Sequence, residues 1–194
     1  MRFDRAAVAS KNPDKIAEVE AVLAGLGVVG EIVRGLEWPD VDETAATLTG
    51  NARLKATAVA AATGLVAIAD DTGLFVSALG GRPGIHAARY AGPDATYADN
   101  VSLLLRELEG VGNRAASFRT AIVARSPDGR EWAVEGSLAG TIIDLPRGEG
   151  GFGYDPVFEV DGRTLAEMTP EEKHSLSHRA RALRALGELL RRVD

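Results

Sequence analysis

The order in which short apolar runs and helical periods alternate restricts this chain to an α/β architecture. Ala6–Ala9 is a brief apolar run of the kind that forms a buried strand. Asn12-Pro13 follows, a capping residue and then the residue favoured at the first helical position. Ile16, Val19, Leu23 and Leu26 recur at helical spacing, and Gly27 ends the pattern. A polar, acidic segment, Glu37 to Thr44, leads into a second helix that ends near Gly64 and carries Leu48, Ala52, Ala56 and Val59 on its apolar side. Leu65–Ala69 reads as a strand and Leu74–Leu79 as another, with the acids Asp70 and Asp71 at the end of the first. After the Gly/Pro loop "GGRPGIHAARYAGPDAT", Asp99–Leu108 is helical through Val101, Leu104, Leu105 and Leu108. Ser117–Arg125 and Glu131–Leu138 form a hairpin around the turn "SPDGR". A second glycine-rich loop, "DLPRGEGGFGYDP", precedes an amphipathic C-terminal helix capped by Ser177. Strands alternate with helices and a hairpin follows, which predicts an α/β fold with a mixed sheet. No repeat or low-complexity linker interrupts residues 1–194, so a single domain is expected.

Composition narrows the function. Charged residues are 26% of the chain, with a net charge of −6. That balance disfavours a nucleic-acid polymer as partner, since a phosphate backbone wants a basic face. The absence of cysteine removes disulfides, thiolate nucleophiles and cysteine metal sites. His86, His174 and His178 have no zinc-binding spacing. No apolar run reaches the ~20 residues of a membrane span, and "MRFDRAAVAS" lacks a signal-peptide core. A cytoplasmic protein with no membrane partner is expected.

Five stretches carry chemistry. "ASKNPDK" is a strand–loop–helix junction whose free N–H groups and helix dipole suit phosphate, with Ser10 and Asn12 as further donors. Lys15 opposes the dipole there, which suggests an anionic ligand, although on this stretch alone a solvated lysine on a capped helix is the more ordinary reading. Asn51 and Lys55, four apart, share one helix face among small alanines. Asp70 and Asp71 repel each other and resist desolvation, a cost that a hard divalent cation relieves. Adjacent side chains on an extended segment diverge, so the two acids are expected to have different roles.

"GEGGFG" formally matches a dinucleotide-binding fingerprint, but the extended "YDPVFEV" follows where a helix should begin. The loop instead offers Phe152, Tyr154 and Asp155, an aromatic and an acid able to stack on a base and read its edge. Thr169 and Glu172 form an expected capping box, with Lys173, His178 and Arg179 clustered beyond it.

In this order, "SKNPDK", "GNARLKA", "ADDTGL", "ALGGRPGIHAARYAG", "GGFGYDP", "PEEK" and "SHRARAL" resemble the inosine triphosphate pyrophosphatase family of the RdgB/HAM1 type, from Ser10 to Leu186. Lys11 stands where the family often has glycine, and Thr72 where serine is usual. The resemblance implies a two-lobed α/β fold around a long mixed β-sheet with flanking helices and the nucleotide in the cleft. It also implies a homodimer that uses Mg²⁺ to hydrolyse ITP, dITP and XTP to the monophosphate and pyrophosphate. Carried over by position, the loop Ser10, Lys11, Asn12, Pro13, Asp14 and Lys15 would bind the triphosphate, with Lys55 beside it. Asp71 would be catalytic and a metal ligand, Asp70 its partner, and Glu43 a further acid at the metal, with Asp42 its competitor. Thr72 would contact substrate. Phe152 would stack on the base, with Gly153, Tyr154 and Asp155 around it, and Lys173, His178 and Arg179 would contact the base and nearby substrate. A Maf-like pyrophosphatase and a non-catalytic nucleotide-binding module are the alternatives; the base motifs disfavour the first and the acids the second.

Overall fold

A computed structural model of the chain describes residues 1–193. The strands are β1 (Phe3–Val8), β2 (Val29–Ile32), β3 (Val66–Val76), β4 (Pro83–Gly84), β5 (Ala115–Arg125), β6 (Glu131–Ile142), β7 (Phe158–Val160) and β8 (Arg163–Thr164). The helices are α1 (Pro13–Leu26), α2 (Leu48–Thr63), α3 (Tyr97–Glu107), α4 (Pro170–Leu176) and α5 (His178–Arg192). One eight-stranded sheet runs in the order β2-β1-β3-β5-β6-β7-β8, with β4 paired to β3. It is mixed: β1 is parallel to β2 and β3, whereas β4 is antiparallel to β3 and β7 is antiparallel to β6.

Helix ends follow local chemistry. Asn12 caps α1 by accepting from the Asp14 and Lys15 N–H groups, Pro13 sits in its first turn, and Gly27 closes it at φ 64°. Thr47 caps α2, and Gly64 ends it in the same left-handed conformation. Capping boxes open α3 at Thr96 and Asp99, and α4 at Thr169 and Glu172. The first lengthens the expected helix at its N-terminal side, because Thr96 is the cap and the helix begins at Tyr97, two residues before Asp99. The "SPDGR" turn joins β5 and β6, with the Ser126 N–H donating to the Arg130 carbonyl at 2.9 Å.

The differences from the sequence reading concern the strands. The apolar runs on either side of Asp70-Asp71 belong to one eleven-residue strand, β3, that continues through the acids. Residues 77–79 are a 3₁₀ turn rather than its continuation. β1, however, stops sooner: its last registered partner is Val8 opposite Ile68. The acids therefore lie beyond the carboxyl end of the adjacent parallel strand, where its chain leaves as the Ser10–Asn12 loop. That is where parallel sheets open a ligand crevice. The four-residue β2 was not expected; it contains Gly30 and its residues are only half-buried or exposed.

Contacts divide the chain into two compact units. Unit 1 comprises residues 1–71, 120–136 and the chain from His178 onward. Its core gathers Phe3, Val8, Val19, Leu23, Ile68, Ile122, Leu183, Leu186 and Leu190, and α1 packs against α5. Unit 2 comprises residues 72–119 and 137–177, around Leu74, Leu104, Leu108, Phe118, Ile142, Val157 and Phe158. Phe118 and Phe158 meet there with ring centroids 4.6 Å apart.

In unit 1, α5 lies against β6 so closely that a Cβ on Gly136 would overlap the backbone of His178 and Ala182. Backbone cannot move aside as a flexible side-chain tip can. Gly136→Ala is expected to destabilise the protein by about 1–3 kcal/mol, the usual penalty for overpacking. Urea unfolding checks this: the midpoint should fall with an unchanged slope.

Candidate active site

The site in unit 1 is built where β1 ends, β3 runs on and α1 begins. Ser10 Oγ accepts from the Asn12 N–H at 3.2 Å, and Asn12 Oδ1 accepts from the N–H groups of Asp14 at 2.9 Å and Lys15 at 3.3 Å. The loop is thus tied to its own helix start. Exposed Lys11 reaches Asp40 at 2.5 Å. Pro13 and Asp14 are exposed on the first turn. Lys15 turns inward to Asp70, 3.3 Å from its Oδ2, so pairing with a buried acid accounts for a cation in the first turn.

Successive residues of a strand point to opposite sides. Asp70 and Asp71 accordingly meet different partners. Asp70 accepts from Arg179 through Nε at 3.3 Å and Nη2 at 3.2 Å. Arg179 Nη1 donates to Glu18, a buried acid on α1. Lys15, Asp70, Arg179 and Glu18 therefore form a chain of alternating charge. Burial opposes ionisation of Asp70, but Lys15, Arg179 and Lys55 outweigh it and hold its carboxyl well below the usual carboxylate range.

Asp71 faces α2. Asn51, fully buried, donates from Nδ2 to Asp71 Oδ2 at 3.1 Å and accepts the Ala45 N–H at 2.9 Å. Lys55 Nζ stands 2.7 Å from Glu43 Oε1 and 3.7 Å from Asp71 Oδ1. Burial pushes the Asp71 carboxyl up; Lys55 opposes this, and the negative Glu43 adds to it. Lys55 is itself partly buried, which disfavours its charge, yet Asp70, Asp71 and Glu43 overcome that and raise its pKa. Glu43 is half-buried at this centre, whereas Asp42 is exposed. The donors assembled are two carboxylates with an ammonium between them. Among the described residues no group of three or more acids, histidines or cysteines is disposed around a metal position. Two hard oxygen ligands suit Mg²⁺, which completes its shell with water and phosphate.

His178 and Thr120 are paired in unit 1, with Thr120 Oγ1 2.6 Å from His178 Nδ1, both buried. The structure thus gathers Lys15, Asp70 and Arg179 in one ion array and Asp71, Lys55 and Glu43 in another, with His178 turned to Thr120. Thr72 follows Asp71 on β3 and is half-buried.

Unit 2 holds the aromatic loop. Phe152 donates its N–H to Asp155 Oδ2 at 2.8 Å, and Lys173 Nζ donates to the same oxygen at 2.6 Å. The Lys173 ammonium lies over the Phe152 ring, 4.6 Å from its centroid. Gly151 has φ 70°, and a Cβ there would overlap the Asp155 carboxylate, so only glycine admits this clasp. Gly153 follows at φ 65°. Tyr154 is buried with its hydroxyl donating to the Ala87 carbonyl at 2.8 Å, which makes it a support of the loop. Burial raises the pKa of that hydroxyl.

Glu18, Thr120 and Asn51 were not assigned roles from the sequence. Glu18 and Lys15 are three apart on α1 and both turn to the same ion array, a spacing that marks shared helix faces. Nothing local marks Thr120, whose partner lies 58 residues away.

The Ham1 family profile matches residues 6–189. A dITP/XTP pyrophosphatase of Geobacillus kaustophilus is 48% identical over 186 residues, covering 93% of this chain and 91% of that protein. The solved Ham1 protein of Staphylococcus aureus superposes with a TM-score of 0.86 at 35% identity, covering 98% of this chain and all (100%) of that one. A Ham1 protein from Coxiella burnetii gives a TM-score of 0.86 at 37% identity, with 98% and 100% covered. With nearly its whole length matched in sequence and in fold, this chain belongs to the Ham1 family.

Proposed function

We propose that this protein is a nucleoside-triphosphate pyrophosphatase. It hydrolyses the deaminated purine nucleotides dITP, ITP and XTP to the monophosphate and pyrophosphate, and so clears them from the nucleotide pool. The observation that carries the reading is the Asp71 centre: a buried carboxylate held by Asn51, with Lys55 and Glu43 beside it, in a chain of the Ham1 family. Asp71 and Glu43 would hold Mg²⁺, and when bound the metal supplies Lewis-acid stabilisation of phosphate charge.

The rest is chemistry of the chain's own residues. The Ser10–Lys15 loop and Lys55 bind the phosphates. Lys15 suits this because its side chain, 20% exposed, joins the buried Asp70 to the surface. Water attacks the α-phosphorus; its oxygen bonds there as the bond to the α–β bridging oxygen breaks, and pyrophosphate leaves. Asp71 takes the water's proton. Asn51 fixes the orientation of that carboxylate by its hydrogen bond to Oδ2. The two lysines neutralise charge growing on the leaving group.

In unit 2, Phe152 offers its ring to the base and Lys173 a donor to the oxygen at position 6. Adenine carries an amino group there and meets the ammonium with no acceptor, a mismatch that costs a buried polar group its partner. Arg179 keeps Asp70 ionised, and His178, paired with Thr120, holds the start of α5. A cytoplasmic homodimer completes the reading and rests on the family resemblance. No helix among the described residues is long and apolar enough to cross a membrane.

Three outcomes are expected. Pyrophosphate release from ITP should require added Mg²⁺, stop with EDTA, and exceed release from ATP by ~10⁴-fold in kcat/KM, as for sites built on a hydrogen-bonded substrate group; equal turnover of ATP would refute the base assignment. Asp71→Asn should lower kcat by about 10²–10³-fold with unchanged circular dichroism, and near-normal turnover would remove Asp71 from the chemistry. In ¹⁸O-labelled water the label should enter the monophosphate; label in orthophosphate would mean attack at the γ-phosphorus.

A further inference from the structure

The apolar stripe of α3 runs past the core that it serves. Val101, Leu104 and Leu108 occupy successive turns of one face and are buried. Four residues before Val101, on the same face, stands Tyr97, the first residue of the helix. It is 42% exposed, one of the few large apolar side chains left in solvent among the described residues. Its backbone is fixed by the Thr96–Asp99 capping box, with Thr96 Oγ1 accepting the Asp99 N–H at 3.2 Å and the Asp99 carboxylate accepting the Thr96 N–H at 2.9 Å. The ring lies 6.0 Å from that of Phe152, at an interplanar angle of 38°.

Phe152 therefore has two close neighbours: the Lys173 ammonium over its ring and the aromatic ring of Tyr97. A purine lying flat against an aromatic ring needs ~3.4–4 Å of separation, so two parallel rings with a base between them stand about 7 Å apart. The present spacing falls short by about one ångström and the rings are tilted, so a base does not enter between them without a small opening of the Phe152 loop or a turn of Tyr97 about χ1. Tyr97 has room for that turn, because it is exposed.

We infer that Tyr97 is a further base-binding residue: with Phe152 it forms a two-ring aromatic grip on the purine of the nucleoside triphosphate. This deepens the proposed function and rests on it, since it takes Phe152 as the base-stacking ring. The grip adds affinity for any purine, because every base has a π-face. Choice between hypoxanthine and adenine stays with hydrogen-bonding groups such as Lys173.

Kinetics of the full-length protein test this. Tyr97→Ala should raise KM for ITP about five- to tenfold, the low end of what the loss of one base–aromatic stack gives, with kcat within about twofold. Tyr97→Phe should keep the wild-type KM, because the ring and not the hydroxyl makes the contact. Inhibition by inorganic tripolyphosphate, which has no base, should be equally strong in all three proteins. Unchanged KM in Tyr97→Ala overturns the inference, and so does tripolyphosphate inhibition that weakens as much as ITP binding, which would mark a general structural loss. If Tyr97→Phe behaves like Tyr97→Ala, the hydroxyl is the binding group and the aromatic grip is wrong. Wild-type protein that leaves ITP intact overturns the proposed activity itself, whereas normal ITP turnover with an unaffected Tyr97→Ala overturns only the grip.

Discussion

Asp70 is a carboxylate almost without solvent, and unit 1 is arranged to keep it charged. Removing such an ion from water costs several kcal/mol, repaid only by close counter-charges and good hydrogen bonds. Arg179 gives it two hydrogen bonds from α5, and Lys15 an ammonium from α1. Glu18 then takes the remaining arm of Arg179. Two cations and two anions cancel, and they come from two helices and the strand they flank. Neither helix can shift without leaving a buried charge uncompensated, so the N-terminal loop and the start of α5 are placed by the same array. The array also separates the two adjacent acids. Asp70 is held ionised by three cations, whereas Asp71, on the other side of the strand, is left with a raised pKa and access to Glu43 and Lys55.

Much of this was legible in the sequence where causes are local. Asn12-Pro13, Gly27, Gly64, the Thr169–Glu172 box and the "SPDGR" turn act within a few residues and fixed their elements correctly. The continuation of β3 through Asp70 and Asp71 was not legible. A pair of acids reads as an end of burial unless the counter-charges are known, and Arg179 is 109 residues away. The edge strand β2 lacked a signal because its residues gain little burial. The chemical residues themselves were visible as types at characteristic positions. Their partners were less so: Lys15 looked like a phosphate ligand alone and is also the counter-ion of Asp70. Arg179, grouped with Lys173 by sequence proximity, belongs to the ion array of unit 1.

Asp155 shows how one side chain can support two others in unit 2. One oxygen, Oδ2, gathers both the Phe152 N–H and the Lys173 ammonium. The acid thereby sets the height of the aromatic ring and the position of the cation above it in a single contact. A carboxylate beside a partly exposed aromatic ring invites assignment as a ligand contact; the geometry gives it the task of holding the ring and the ammonium still.

Lys55 sits between Glu43 and Asp71 and carries the opposite charge to both. Many metal-dependent domains cannot fold until their ion arrives, because their ligands would otherwise repel one another. Here the repulsion is answered from within the chain, and Asn51 fixes Asp71 and the Ala45 backbone by hydrogen bonds that owe nothing to an ion. The two acids are thus held side by side by the fold itself, with their charge balanced by a residue twelve positions from one and sixteen from the other.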